Sequence, residues 1–194
     1  IGVWEMKGNF GNKIRNDLKE SQIDWKVIIA FIPIGFITYL FHEFGHWTFG
    51  ELLGNEMTLS LNNSSPKSGQ FIDDADAIWS AIGGPFFTIL QGLLFLLIVW
   101  LTKSIYAYSF TFFAVFSRFF PILFGGFSQQ DEARIALMLN VNKYLIAMIV
   151  LSILLLIIWK CNRIMKLNIK AVGYFITLST LVILLVIGII NLIG

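Results

Sequence analysis

Residues 25–53 read WKVIIAFIPIGFITYLFHEFGHWTFGELL, an apolar run broken near its end by His42, Glu43 and His46. About 20 apolar residues suffice to cross a bilayer, and this stretch is longer than that. Ionisable side chains are expensive inside such a run, and where they persist they mark function by default. Two imidazoles and a carboxylate at this depth call for a chemical reason.

Composition extends the membrane reading to the whole chain. Of 194 residues, 57% are hydrophobic and 13% charged, with a mean hydropathy of +0.77. A soluble domain carries about 25% charged residues. Windowed hydropathy marks four further segments, at 78–101, 105–124, 143–159 and 171–193. The expected fold is an all-α membrane protein of about five transmembrane helices, integral and multi-pass, with the lipid bilayer as its surroundings. Residues 1–24 form a polar, mixed-charge segment with no apolar core, which excludes a signal peptide within them. Residues 25–194 read as a single membrane domain. A net charge of +2 points to no nucleic-acid partner, and Cys161, the only cysteine, permits no intramolecular disulfide.

The connection between the first two segments has its own pattern. In EMTLSL (56–61), Met57, Leu59 and Leu61 alternate with Thr58 and Ser60, the period of a strand. NNSSPKSG (62–69) is a dense turn signal, and QFI (70–72) is expected to return as the second strand of a short β-hairpin. Asp73, Asp74 and Asp76 read as the cap and first-turn acids of the next helix.

His42 and His46 are four residues apart, so on a helix they fall about 40° apart on one face. Both imidazoles can then reach one ion, with Glu43 beside them. This is the HExxH arrangement, in which two nitrogens bind zinc and a carboxylate takes a proton from water that the ion activates. A packing cluster of polar groups would not require this spacing. These are also the only histidines in the chain, and Glu43 is the only acid well inside an apolar segment.

Two histidines leave zinc under-coordinated, because catalytic sites use three protein ligands and keep a fourth position for water. No histidine remains, and Cys161 falls at the far end of the fourth segment, so the third ligand is expected to be a carboxylate. Counting crossings puts the ends of segments one and three and the starts of two and four on one face. Asp131 and Glu132, in SQQDEARI, both reach that face, and either also suits a helix first turn. On the same face, IGGPFF places Gly83, Gly84 and Pro85, small residues for close helix approach and a proline that frees a carbonyl. Arg118 is the other charge inside an apolar segment, able to snorkel, to pair with Asp131 or to orient a substrate carbonyl.

Taken in order over about residues 36–140, HEFGH, EMTLSL…SGQF, AIGGPFFT and RFFPILFGGFSQQDEARI resemble the site-2 protease family of intramembrane zinc metalloproteases. The resemblance implies Zn2+ held by His42, His46 and Asp131, with Glu43 as catalytic general acid and base. It implies substrate-positioning places at Gly84, Pro85, Thr88 and Arg118. The implied substrate is a membrane protein or peptide cut in or near a transmembrane segment, with the β-hairpin at the catalytic face receiving the unwound strand. Three positions depart from the family pattern. Thr88 stands where Gly-Pro-x-x-Asn has asparagine, and Arg118 where Asn-x-x-Pro has its asparagine. Asp131 lies ten residues beyond Pro121, farther than usual, and is followed by Glu rather than Gly.

Two other classes compete with the enzyme. One is a catalytically silent relative, a metal-binding scaffold or regulator, favoured by Thr88 and Arg118. The other is a small metal transporter, which should spread ionisable residues over several helices near the midplane. Orientation divides the arguments. Ten Lys and Arg fall on the N-terminal side of the segments and three, Lys67, Arg134 and Lys143, on the histidine side. The positive-inside rule then turns the histidine side outward, whereas the family resemblance implies zinc nearer the cytoplasm.

Overall fold

The computed structural model describes residues 2–193, with side chains over 11–192. Helix α1 (Gly2–Glu20) precedes α2 (Trp25–Leu52), and a hairpin of β1 (Met57–Leu59) and β2 (Ser64–Pro66) follows. Then come α3 (Asp74–Thr102), α4 (Ile105–Phe124), a 3-10 turn (Phe127–Gln129), α5 (Asp131–Met138), α6 (Leu145–Met165) and α7 (Ile169–Ile193). Helices α2, α3, α4, α6 and α7 are long and apolar enough to cross a membrane. The architecture is therefore the expected one, an all-α bundle with five candidate spans and one small antiparallel hairpin.

Local chemistry sets the helix ends. Asp24 caps α2 by accepting from the Val27 N–H at 2.9 Å, and Asp73 caps α3 by accepting from the Ala75 N–H at 2.9 Å. Lys103 and Lys166, at φ 51° and 54°, each stop a helix with one left-handed residue. Ser104 then caps α4, and Asn168 accepts from the Ala171 N–H at the start of α7. The first reversal packs α3 antiparallel to α4, and the second turns the chain back so that α7 packs on α2 and α4. Trp25, Trp100 and Trp159 are exposed toward the same end of the bundle, where an aromatic belt would meet the interface.

Helix α4 is central. Of its most apolar stretch 61% is buried, against 28–39% in the other four. Those four turn large apolar side chains outward, among them Ile29, Leu97, Leu156 and Leu184, a surface that suits lipid and not water. Phe31, Phe113 and Phe175 are fully buried and join α2, α4 and α7, with ring centroids 6.5 Å apart for Phe31–Phe113 and 5.5 Å for Phe31–Phe175. Helices α2 and α3 meet most closely at Gly45 and Gly83, where a Cβ on either would overlap the other's carbonyl.

The structure alters two sequence readings and adds one element. The return strand is Ser64–Pro66 and not 70–72. Hydroxyls make the apparent turn residues into a strand: Thr58 Oγ1 donates to the Ser65 carbonyl at 2.9 Å and Ser64 Oγ to the Thr58 carbonyl at 3.1 Å. The turn itself is shorter, closed by the Ser60 N–H on the Asn63 carbonyl. The fourth segment begins at Leu145 and runs on past Trp159 to Met165, because Lys160 and Arg163 suit the C-terminal end of a helix and do not break it. The polar segment 1–24 contains a helix, and its Asp17 meets Lys170 of α7 at 2.7 Å.

Candidate metal centre

The HExxH residues lie on the inner face of α2, opposite the small-residue stretch of α3. His42 is 4% exposed and His46 7%. Their rings stand nearly perpendicular, 4.8 Å between centroids. Gly84 lies against both rings, and a Cβ there would overlap His46 Nε2 and His42 Cε1. A glycine is required at that position for the imidazoles to sit where they do.

Hydrogen bonds fix which nitrogen of each ring faces the centre. Thr88 Oγ1 donates to the Gly84 carbonyl at 3.1 Å, so toward His42 Nδ1, 2.9 Å away, it can only accept. His46 Nδ1 donates to the Ser80 carbonyl at 2.7 Å, while Ser80 Oγ donates to the His46 carbonyl at 3.0 Å. Both Nδ1 atoms therefore carry hydrogen, and both Nε2 lone pairs point inward. The two Nε2 atoms are 3.2 Å apart.

Asp131, first residue of α5, completes the group. Its Oδ2 is 2.8 Å from His42 Nε2 and its Oδ1 is 3.4 Å from His46 Nε2. Two inward lone pairs and a carboxylate at these distances repel unless a proton or a metal ion stands between them. The three ligand atoms lie within 4.8 Å of one another, and the group can hold a metal ion. Without an ion a proton on Nε2 plays that part: burial works against the charge on Asp131, but hydrogen bonds and positive charge from His42 and His46 outweigh it and hold the carboxyl well below the usual range. That is the state a ligand needs.

Arg118 of α4 reaches the same atoms. Its Nη1 is 3.3 Å from Asp131 Oδ2, 3.4 Å from His42 Nε2 and 3.7 Å from Glu132 Oε2. Gln130 donates to the Arg118 carbonyl at 3.2 Å. Glu132 is 2% exposed and stands outside the His42, His46 and Asp131 group. Burial pushes its carboxyl up, and the Arg118 guanidinium pulls against that shift.

A cavity of about 340 Å³ opens on the centre. Its wall includes His42, Glu43, His46, Arg118 and Asp131, with Tyr39 below and Asn62, Asn63 and Ser64 of the hairpin above. Five of the expected site residues thus share one cavity. Gly84, Pro85 and Thr88 are not on its wall: they lie on the α3 side, and Thr88 bonds an imidazole. Ser80 escaped the sequence reading. The signal that could have found it is the stripe Ser80, Gly84, Thr88, one residue every four along α3. No family model, curated protein or solved structure matches the chain.

Proposed function

We propose that the chain is an intramembrane zinc metalloprotease of the site-2 type, hydrolysing peptide bonds in or near transmembrane segments of membrane-protein substrates. The observation that carries this reading is the inward convergence of His42 Nε2, His46 Nε2 and Asp131 with Glu43 on the same cavity wall. Bonds of about 2.0–2.1 Å to a tetrahedral zinc set neighbouring ligand atoms about 3.3 Å apart, against the 3.2 Å and 3.4 Å seen here for two of the three pairs. Two histidines and one carboxylate would hold the ion and leave it a position for water. The order of HEFGH, hairpin, Gly-Pro helix and acidic loop adds the family resemblance.

A bound zinc would supply Lewis acidity and a water acidic enough to react near neutral pH. Glu43, on the same cavity wall, would accept a proton from that water and return one to the leaving amine. Thr88 and the Ser80 carbonyl hold the two imidazoles in the ligating tautomer. Arg118 offers a cation at the rim, where a substrate carbonyl gains negative charge. The polar cavity admits water to a site inside an apolar bundle, which a substrate that is itself a membrane segment requires.

A second reading, a metal-holding scaffold without turnover, is favoured by Thr88 and Arg118 standing where the family pattern has asparagine. Metal analysis of the purified protein beside Glu43→Gln separates the readings. The enzyme should hold about one zinc per chain, and Glu43→Gln should keep it while cleavage falls by about 10²- to 10⁴-fold. Folded protein without metal ends the enzyme reading. Iron in place of zinc, which accepts the same two-histidine, one-carboxylate set, would replace it with another chemistry.

A further inference from the structure

Arg118 presents one atom, Nη1, to three groups, and two of them, His42 Nε2 and Asp131 Oδ2, belong to the metal-ligand set. A divalent ion held there would take both lone pairs. It would also repel the guanidinium, which stays positive at every relevant pH. The third group is Glu132 Oε2 at 3.7 Å, an ion-pair separation without a hydrogen bond. That oxygen is buried and has no hydrogen-bond partner, and Arg118 Nε is likewise buried without one. Glu132 is 2% exposed, so water contributes little screening. The carboxylate oxygen without a partner lies beside the cation that metal binding would displace.

We propose that Glu132 is the counter-charge of Arg118, a positioning residue that holds the guanidinium at the rim and lets a divalent ion bind beside it. Arg118 can then remain a carbonyl donor next to a metal, where an unpaired cation would weaken the ion's binding. Only what Arg118 does to substrate rests on the metalloprotease reading; the charge pairing does not.

The test is a cycle of zinc affinities, measured by competition with a chromophoric chelator on detergent-purified Glu132→Gln, Arg118→Gln and the double variant. Glu132→Gln should bind zinc at least about tenfold more weakly, and the double variant should return to within about threefold of wild type. Glu132→Asp, which keeps the charge, should stay close to wild type and guards against a fold defect. With a cleavable transmembrane peptide, Arg118→Gln and Glu132→Gln should each lower kcat, and the double variant should be no slower than Arg118→Gln alone. Equal loss of zinc in Glu132→Gln and the double variant overturns the proposal, because Glu132 then acts as a ligand or fold element. So does unchanged zinc affinity in Glu132→Gln, or a Glu132→Asp protein as weak as Glu132→Gln. Should the variants show this zinc pattern while wild type cleaves nothing, the counter-charge stands and the protease reading falls.

Discussion

The Thr88 hydroxyl and His42 Nδ1 are 2.9 Å apart, and because that hydroxyl already donates to the Gly84 carbonyl it can only accept from the imidazole. A threonine one turn beyond the Gly-Pro pair thus sets which face of His42 meets the centre. Thr88→Val keeps the shape and removes the acceptor. Zinc affinity should fall by about tenfold to a hundredfold, the usual effect of losing a ligand's orienting partner. Thr88→Ser should remain near wild type. Chelator competition checks both, and a valine variant as tight as wild type would remove the orienting role.

Asp131 is expected to be the third ligand, so Asp131→Ala should strip zinc while the helices stay folded. Its ionisation also gives a pH signature in the metal-free protein. The folded carboxyl lies below its unfolded value, so its stabilisation is fully present above about pH 3.9 and is lost as pH falls through the folded value. The gap in thermal midpoint between metal-free wild type and Asp131→Asn should therefore shrink as the pH falls into acid well below about 3.9. A gap that is unchanged in strong acid would remove the assignment.

Gly83 and Gly45 allow α2 and α3 to touch backbone to backbone beside the site. Gly83→Ala should destabilise by about 1–3 kcal/mol through overpacking. Gly173→Ala, whose Cβ meets nothing within 4 Å, is the control and should be neutral or slightly stabilising. Thermal unfolding in detergent measures both. Equal midpoints would show that the close approach contributes nothing.

The charge rule sets the expected orientation. Helix α5 has eight residues, too short to cross, so five candidate spans remain between the ten basic residues on one side and the three on the other. The hairpin side is then expected to face outward. A cysteine at exposed Ser68 in a Cys161→Ser background should react with a membrane-impermeant thiol reagent in intact cells. Protection until the membrane is opened would turn the histidine side toward the cytoplasm.

How much of this was legible beforehand follows from the range of each interaction. The spans at 25–53, 78–101 and 105–124 could be read because hydropathy is local and lipid tolerates little else. HExxH could be read because four residues on a helix set one geometry whatever surrounds them. The return strand at Ser64–Pro66 was hidden, because its pairing depends on hydroxyls that read as turn chemistry. The choice between Asp131 and Glu132 was beyond any local rule. Adjacent residues at a helix start point about 100° apart, and which of them meets His42 depends on where α5 is docked, 89 residues along the chain. The tautomers of His42 and His46 were decided in the same way, by a hydroxyl and a carbonyl on α3. The amino-acid pattern determined the helices and the histidine pair; the packing of α3, α4 and α5 around them decided which carboxylate meets that pair and which charge stands beside it, because those contacts span elements that no local periodicity connects.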